Sequence, residues 1–153
     1  MSAHTAVSAA EAADRLAIRE LVEAYAHRAD QADIPGMVAL FSPHPYFALH
    51  FDVQDPKPFM EADNREALAS EFGRMNNFQA TQHVLGQSTI TALTAGRGAG
   101  EIYCLAHHLA VADDRRELNL AAIRYVDAFV KLGGAWLFKE RRLYFDWIED
   151  RTL

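Results

Sequence analysis

The second half of the chain consists of four long segments with the hydrophobic pattern of β strands, and this pattern restricts the fold more than any other feature. The segments cover residues 81–93, 100–112, 117–132 and 135–146. Short turns separate them: a glycine-rich stretch at 95–98, then Asp113-Asp114 and Gly133-Gly134. Turns of this kind connect neighbouring antiparallel strands. The pattern therefore predicts an antiparallel meander whose long strands twist and curl into a concave sheet.

The first half carries the signals of three helices and one strand. Ser8 and Glu11 have the spacing of a capping box, and the helix that follows has one apolar stripe. The members of this stripe are Ile18, Leu21, Val22, Tyr25 and Ala29. Asp33 and Asp63 are expected to cap the next two helices, and residues 46–52 alternate as a strand between them. Helices followed by strands predict an α+β fold in which the curved sheet wraps around the helices.

The composition fits one soluble domain spanning residues 1–153, with residues 1–8 as a flexible tail. Because 21 acidic residues outnumber 15 Lys and Arg, the net charge is −6 and no nucleic-acid partner is expected. No apolar stretch approaches the roughly 20 residues of a membrane helix, and the N terminus lacks a signal-peptide pattern. We therefore expect a cytoplasmic protein that does not interact with membranes. Cys104 is the only cysteine, and its apolar strand neighbours favour a packing role.

A curled sheet with helices on its concave side leaves a conical cavity, into which only alternate strand residues point. On the first long strand the inward set is expected to be His83, Leu85, Gln87 and Thr89, and on the second Cys104, Ala106 and His108. This assignment leaves His107 on the outer face. A register slip of one residue would exchange His107 and His108, and the sequence does not decide between them.

Asp30 stands at the end of the first helical stripe, where the negative end of the helix dipole disfavours an acid. A cationic or imidazole partner would explain its position. A histidine held by a carboxylate keeps one tautomer and is a competent general base. A tyrosine hydroxyl or a second imidazole facing a substrate carbonyl would stabilise the negative charge that develops there. We expect no metal site, and we expect the charged run 139–142 to be a solvated or interface strand end.

Several short motifs resemble the SnoaL-like branch of the nuclear-transport-factor-two-like, or cystatin-like, superfamily. They lie at residues 21–33, 81–87, 103–108, 124–127, 134–136 and 141–147. Within this branch the Thr-Gln-His-x-x-Gly start at 81–86, and Gly100 eight residues before His108, are similar to scytalone dehydratase and related dehydratases. The resemblance implies a cone-shaped α+β barrel with about three helices in the concave face of a mostly antiparallel sheet. It also implies that His83 and His108 line the pocket and that Asp30 hydrogen-bonds His108.

The chain departs from the dehydratase pattern at three pocket positions. Ala29 and Leu49 stand where the dehydratase has tyrosines, and Tyr125 stands where it has an asparagine. Tyr25 lies one helical turn before Ala29, at a spacing from Asp30 that is shared with bile-acid dehydratases of the superfamily. In the resulting catalytic hypothesis His108, held by Asp30, is the general base, and His83 and Tyr25 are the other catalytic residues. The residues expected to contact the substrate are Tyr125, Leu49, Phe51, Leu85, Gln87, Ala106 and Ile123.

These features favour a lyase or isomerase that needs no cofactor or metal and acts on a small, largely apolar cyclic carbonyl compound. Two alternatives stay open: a non-catalytic protein that binds a small apolar ligand, and a structural partner similar to the β subunits of ring-hydroxylating dioxygenases. An apolar outer sheet face, with Tyr103, Leu105 and Leu109, predicts a homo-oligomer, either a dimer or a trimer.

Overall fold

The computed structural model describes residues 6–153, so residues 1–5 of the predicted tail lie outside the described residues. The helices are α1 (Ala9–Asp30), α2 (Ile34–Ala39) and α3 (Arg65–Phe72), and a 3₁₀ helix (Gly73–Asn77) follows α3. The strands are β1 (Phe41–His50), β2 (Met60–Ala62), β3 (Ala80–Leu93), β4 (Arg97–Ala112), β5 (Arg115–Leu132) and β6 (Ala135–Thr152). In this part of the chain, no helix is long and apolar enough to cross a membrane.

Side-chain caps begin all three α helices, as the sequence predicts, although one cap is shifted. The Glu11 backbone N–H donates to Ser8 Oγ at 3.1 Å, and the Gly36 N–H donates to Asp33 Oδ1 at 3.0 Å. The third helix is capped by Asn64 rather than Asp63. Because an asparagine oxygen accepts from the first helical turn as readily as an aspartate, the prediction missed the cap by one residue.

The strands form one mixed sheet in the order β2-β1-β6-β5-β4-β3. Every neighbouring pair is antiparallel except β1 and β6, which run parallel. The sheet curls around the three helices without closing, which confirms the predicted α+β class and the cone-shaped architecture. The predicted meander corresponds to β3 through β6, and the concave face of these long strands supplies one part of the cavity wall, with the helices and β1 supplying the rest.

The strand β1 begins at Phe41, five residues before its predicted start at residue 46. Phe41 pairs with Phe138 on β6 and is fully buried, so packing against the core draws the chain into the sheet directly after α2. The pairing register shifts between Phe41 and Tyr46, and this irregularity accommodates Pro43 in the strand. The short β2, on the edge of the sheet beside β1, was not predicted because three residues carry too little periodicity.

The core contains an ion pair that the sequence pattern did not reveal. Arg141 Nε and Nη2 donate to Asp127 Oδ1 and Oδ2 at 2.8 and 2.7 Å, and both side chains are 0% exposed. The expectation of a solvated or interface strand end at 139–142 was therefore wrong for Arg141, which lies in the core. The two residues face each other across the β5–β6 pair, and Asp127 continues the inward alternation of Ile123 and Tyr125.

Replacing one member of this pair is expected to destabilise the protein far more than replacing both. Arg141→Met leaves the Asp127 carboxylate buried without a partner, which costs about 3–5 kcal/mol, whereas Arg141→Met with Asp127→Leu replaces the pair by apolar groups of similar volume. Urea unfolding of the two variants and the wild type measures the difference. A double variant as unstable as the single one would show that the ion pair is required for folding.

Candidate active site

A cavity of about 600 Å³ opens between the helices and the concave face of the sheet. Seven predicted site residues line it: Tyr25, Leu49, Phe51, His83, His108, Ile123 and Tyr125. Most of the other lining groups are apolar, and they include Phe47, Phe72, Phe78, Leu143, Phe145 and Ile148. A volume of this size with a few convergent polar groups suits a small organic ligand.

Asp30 is not among the residues that line the cavity, but it contacts His83, which is. The His83 Nδ1 lies 2.7 Å from Asp30 Oδ1, and the His83 backbone N–H donates to Asp30 Oδ2 at 3.1 Å. The Thr81 hydroxyl donates to Asp30 Oδ1 at 2.9 Å. The expectation that Asp30 holds His108 was therefore wrong, because β3 and not β4 passes the end of α1.

The electrostatics of the contact determine the tautomer of His83. Burial alone would raise the pKa of Asp30, but the hydrogen bonds from His83 and Thr81 outweigh burial and hold that pKa below its ordinary value. Because Asp30 is then a carboxylate, which only accepts hydrogen bonds, Nδ1 of a neutral His83 carries the proton. The other ring nitrogen, Nε2, is left as the basic atom.

His108 is the second imidazole of the cavity, as the predicted strand parity required. Its ring centroid lies 5.5 Å from that of His83 and 4.8 Å from that of Phe78. Burial and the neighbouring His83 lower the pKa of His108 to about 4, outweighing the opposing effects of Asn119 and Asp30. His108 is therefore neutral at physiological pH, while His107 alternates onto the opposite face of β4.

Tyr25 and Tyr125 form an edge-to-face pair in the cavity wall, with ring centroids 6.0 Å apart. Burial raises the pKa of both phenols well above the ordinary value, although the positive charge of Arg141 opposes this shift. Both tyrosines are therefore neutral and able to donate a hydrogen bond. They restore phenol groups to a pocket in which Ala29 and Leu49 occupy the tyrosine positions of the dehydratase pattern.

Three of the predicted contact residues lie outside the lining of this cavity. Ala106 is fully buried, Leu85 packs against the core, and Leu85 and Gln87 line a separate, smaller depression. A β-bulge explains Gln87: Leu85 pairs with Cys104 but Ser88 pairs with Ile102, so the extra residue reverses the alternation. Beyond the bulge Ile90, and not Thr89, packs against the core.

The lining of the cavity also contains polar groups that periodicity could not identify. Glu71, Arg74, Asn77 and Asn119 are its other polar lining residues. The first three come from α3 and the 3₁₀ helix, whose position over the sheet is a tertiary feature. Phe51, the first residue after β1, stacks on Phe145 with ring centroids 4.9 Å apart and lines the cavity. Among residues 6–153, no His, Cys, Asp and Glu side chains form a group of three placed to hold a metal ion.

The profile of the SnoaL-like domain matches residues 10–142, which is most of the chain. The protein belongs to the SnoaL-like family. A search of curated proteins found no match to this member of the family.

Solved structures with the same fold share few residues with this SnoaL-like protein. A candidate scytalone dehydratase from Novosphingobium aromaticivorans has a TM-score of 0.81 at 20% identity, with 94% of this chain and 91% of that chain covered. The β subunit of a candidate aromatic-ring-hydroxylating dioxygenase from the same organism has a TM-score of 0.75 at 21% identity, covering 90% and 92%. A hexachlorocyclohexane dehydrochlorinase from Novosphingobium barchaimii has a TM-score of 0.75 at 12% identity, covering 93% and 92%.

The low pKa of His108 predicts a loss of stability in mild acid. The pKa falls from an ordinary 6.5 to about 4 on folding, so between these values the unfolded chain binds a proton that the folded chain does not. This contribution to stability is complete above pH 6.5 and is lost as the pH falls toward 4. The unfolding free energy of the wild type should therefore fall between pH 7 and pH 5. In His108→Gln this fall should be smaller by about 1–2 kcal/mol, a figure that allows for the partial exposure of the ring. Urea unfolding at both pH values tests this, and equal losses in both proteins would contradict it.

Proposed function

We propose that this protein is a cofactor-independent lyase or isomerase of the cytoplasm, with His83 as general base on a small, largely apolar cyclic carbonyl compound. The observation that carries the proposal is the 2.7 Å contact between His83 Nδ1 and Asp30 Oδ1 at the wall of a mostly apolar cavity. A carboxylate-held imidazole beside an enclosed space is suited to removing a proton from a bound molecule. The relatives with solved structures include a candidate dehydratase and a dehydrochlorinase, whose names both indicate elimination.

In this proposal the reaction starts with a proton transfer to His83. The Nε2 atom takes a proton from the carbon next to the carbonyl, and the Asp30 carboxylate stabilises the imidazolium that forms. The electron pair of the broken C–H bond moves into the carbonyl group, and the oxygen becomes negative. In this proposal Tyr25 and Tyr125, which line the cavity as neutral phenols, donate hydrogen bonds to that oxygen.

The fate of the enolate decides between elimination and isomerisation. When a hydroxyl occupies the β carbon, the enolate expels it and the His83 imidazolium returns its proton to the departing oxygen, which leaves as water. A halide would leave as an anion without that proton. With no leaving group, the same proton returns to a different carbon and the product is an isomer. His108 is neutral, and its ring lies beside His83, so it can hydrogen-bond the leaving group but cannot serve as a strong acid.

Replacing His83 or Asp30 is expected to abolish proton abstraction while the fold remains. His83→Gln removes the base and should lower the rate by about 100- to 10,000-fold. Asp30→Asn offers an amide N–H to Nδ1 and so favours the wrong tautomer, with a loss of similar order. The measurement is deuterium exchange at the α carbon of cyclic ketones in D₂O, followed by NMR, with β-hydroxy and β-halo ketones assayed for elimination.

His107→Gln provides the matched control, because it makes the same substitution on the outer face of β4. This variant should retain full exchange activity, and circular dichroism should show that all three proteins are folded. Exchange by His83→Gln at the wild-type rate would rule out His83 as the base.

Ligand binding without catalysis is the second candidate function, and the apolar character of the lining favours it. Ala29 and Leu49 leave hydrocarbon where the dehydratase pattern has tyrosines. In that case cyclic ketones would bind to the wild type and to His83→Gln with similar affinity, and neither protein would exchange α protons. The dioxygenase β-subunit neighbour suggests a third, structural role in an oligomeric assembly.

The outer face of the sheet supports self-association into a dimer or trimer. Val84, Tyr103, Leu105 and Trp147 are 52%, 39%, 42% and 60% exposed on the described chain. Contiguous exposed apolar side chains of this kind are typical of interfaces.

A further inference from the structure

Arg141 lies directly against the two cavity tyrosines, and the proton transfer described above does not use it. The guanidinium carbon is 4.3 Å from the centre of the Tyr25 ring and 4.0 Å from the centre of the Tyr125 ring. The Arg141 side chain is 0% exposed, so it does not contact a molecule in the cavity. Any effect of Arg141 on a ligand must therefore act through the tyrosines.

Asp127 keeps Arg141 charged and in place. Burial alone would favour the neutral guanidine, but the Asp127 carboxylate outweighs burial and holds the pKa of Arg141 above its ordinary value. Two hydrogen bonds from the guanidinium to the carboxylate fix its plane. The cation is thus a permanent part of the wall behind the tyrosines.

The arrangement is unfavourable for stability alone, which points to a functional reason. Arg141 Nη1 is buried and makes no hydrogen bond within residues 6–153. An unpaired buried donor is costly, and an apolar pair of similar volume would fill the same space without it. The compensation available to this nitrogen is the electron-rich face of the surrounding rings, which include Phe138 at 4.1 Å.

A cation on the ring face of a phenol draws electron density from the ring and stabilises negative charge at the phenol oxygen. Burial raises the pKa of Tyr25 overall; the positive charge of Arg141 is the largest effect that lowers it, and the Asp127 carboxylate partly offsets that effect. Tyr25 O–H is therefore a better donor with Arg141 present than it would be without this cation. A better donor forms a stronger hydrogen bond with an anionic acceptor than with a neutral one. The effect is selective for ligands with charge on the oxygen next to the tyrosines.

We propose that Arg141 is a positioning residue that makes Tyr25 and Tyr125 an oxyanion-binding pair, so that the cavity prefers planar phenolates and enolates to their neutral forms. Asp127 contributes indirectly, because its hydrogen bonds hold Arg141 against the two tyrosines. The inference rests on the proposed function, which places the carbonyl oxygen of the substrate at these tyrosines. It adds the chemical class of ligand that should bind most tightly.

The test uses 4-nitrophenol, whose phenolate and phenol absorb at different wavelengths. We expect wild-type protein to lower the pKa of the bound probe by one unit or more, which is about a tenfold preference for the phenolate. Arg141→Met with Asp127→Leu should lose that preference. The matched control is Arg142→Met, since Arg142 stacks on Tyr46 at 4.7 Å and neither residue lines the cavity. This control should behave like the wild type.

Two further variants keep the result interpretable. Arg141→Lys retains a charge but loses the planar stacking on the rings, so it should lose most of the preference even if the double variant fails to fold. His83→Gln should keep the preference, because the base does not bind the oxyanion. If His83→Gln still catalyses turnover, the proposed function is wrong, but the phenolate preference and its dependence on Arg141 remain valid.

Three outcomes would overturn the inference. The first is a phenolate preference that persists in the folded double variant or in Arg141→Lys. The second is a preference that disappears in His83→Gln alone, which would place the anion at the histidine. The third is wild-type protein that does not bind 4-nitrophenol at millimolar concentration or binds its two forms equally.

Discussion

The hydrogen bonds that the end of α1 makes to the edge strand β3 are the interaction on which the cavity depends. Asp30 accepts from the Thr81 hydroxyl, the His83 backbone and the His83 ring, so one carboxylate anchors a helix and orients an imidazole. The negative end of the helix dipole repels the Asp30 carboxylate, and the hydrogen bonds from these three donors offset the repulsion. Because β3 is an edge strand, the same contact also fixes the open side of the curled sheet.

The mostly apolar cavity contains two kinds of polar group, histidines and tyrosines, on different elements of the fold. The histidines lie on β3 and β4 at one edge of the sheet, whereas the tyrosines come from α1 and β5, nearer its middle. A basic group at one end and neutral donors at the other suit a molecule that loses a proton and gains charge on an oxygen a few atoms away. Phe51, Phe72 and Phe145 also line the cavity and favour a flat, apolar ligand.

The buried Arg141–Asp127 pair connects the architecture of the sheet to the chemistry of the cavity. It lies between β5 and β6, the two longest strands, and its cation lies against both tyrosine rings. Buried ion pairs often contribute no more to stability than hydrophobic pairs of similar volume. The ion pair is thus better explained by the electrostatics of the neighbouring cavity than by stability.

The sequence by itself determined the fold class, the meander from β3 to β6, the first helix and the inward placement of His83, but it left the choice between His107 and His108 to the tertiary structure. These features depend on local periodicity and turn chemistry, which short stretches of sequence express directly. Only the tertiary structure decided that Asp30 binds His83, that the bulge after Leu85 turns Gln87 away from the cavity, and that Arg141 is buried beneath Tyr25. Each of these depends on which elements meet, and a helix end, an extra strand residue or a charged side chain carries no local signal of its distant neighbour.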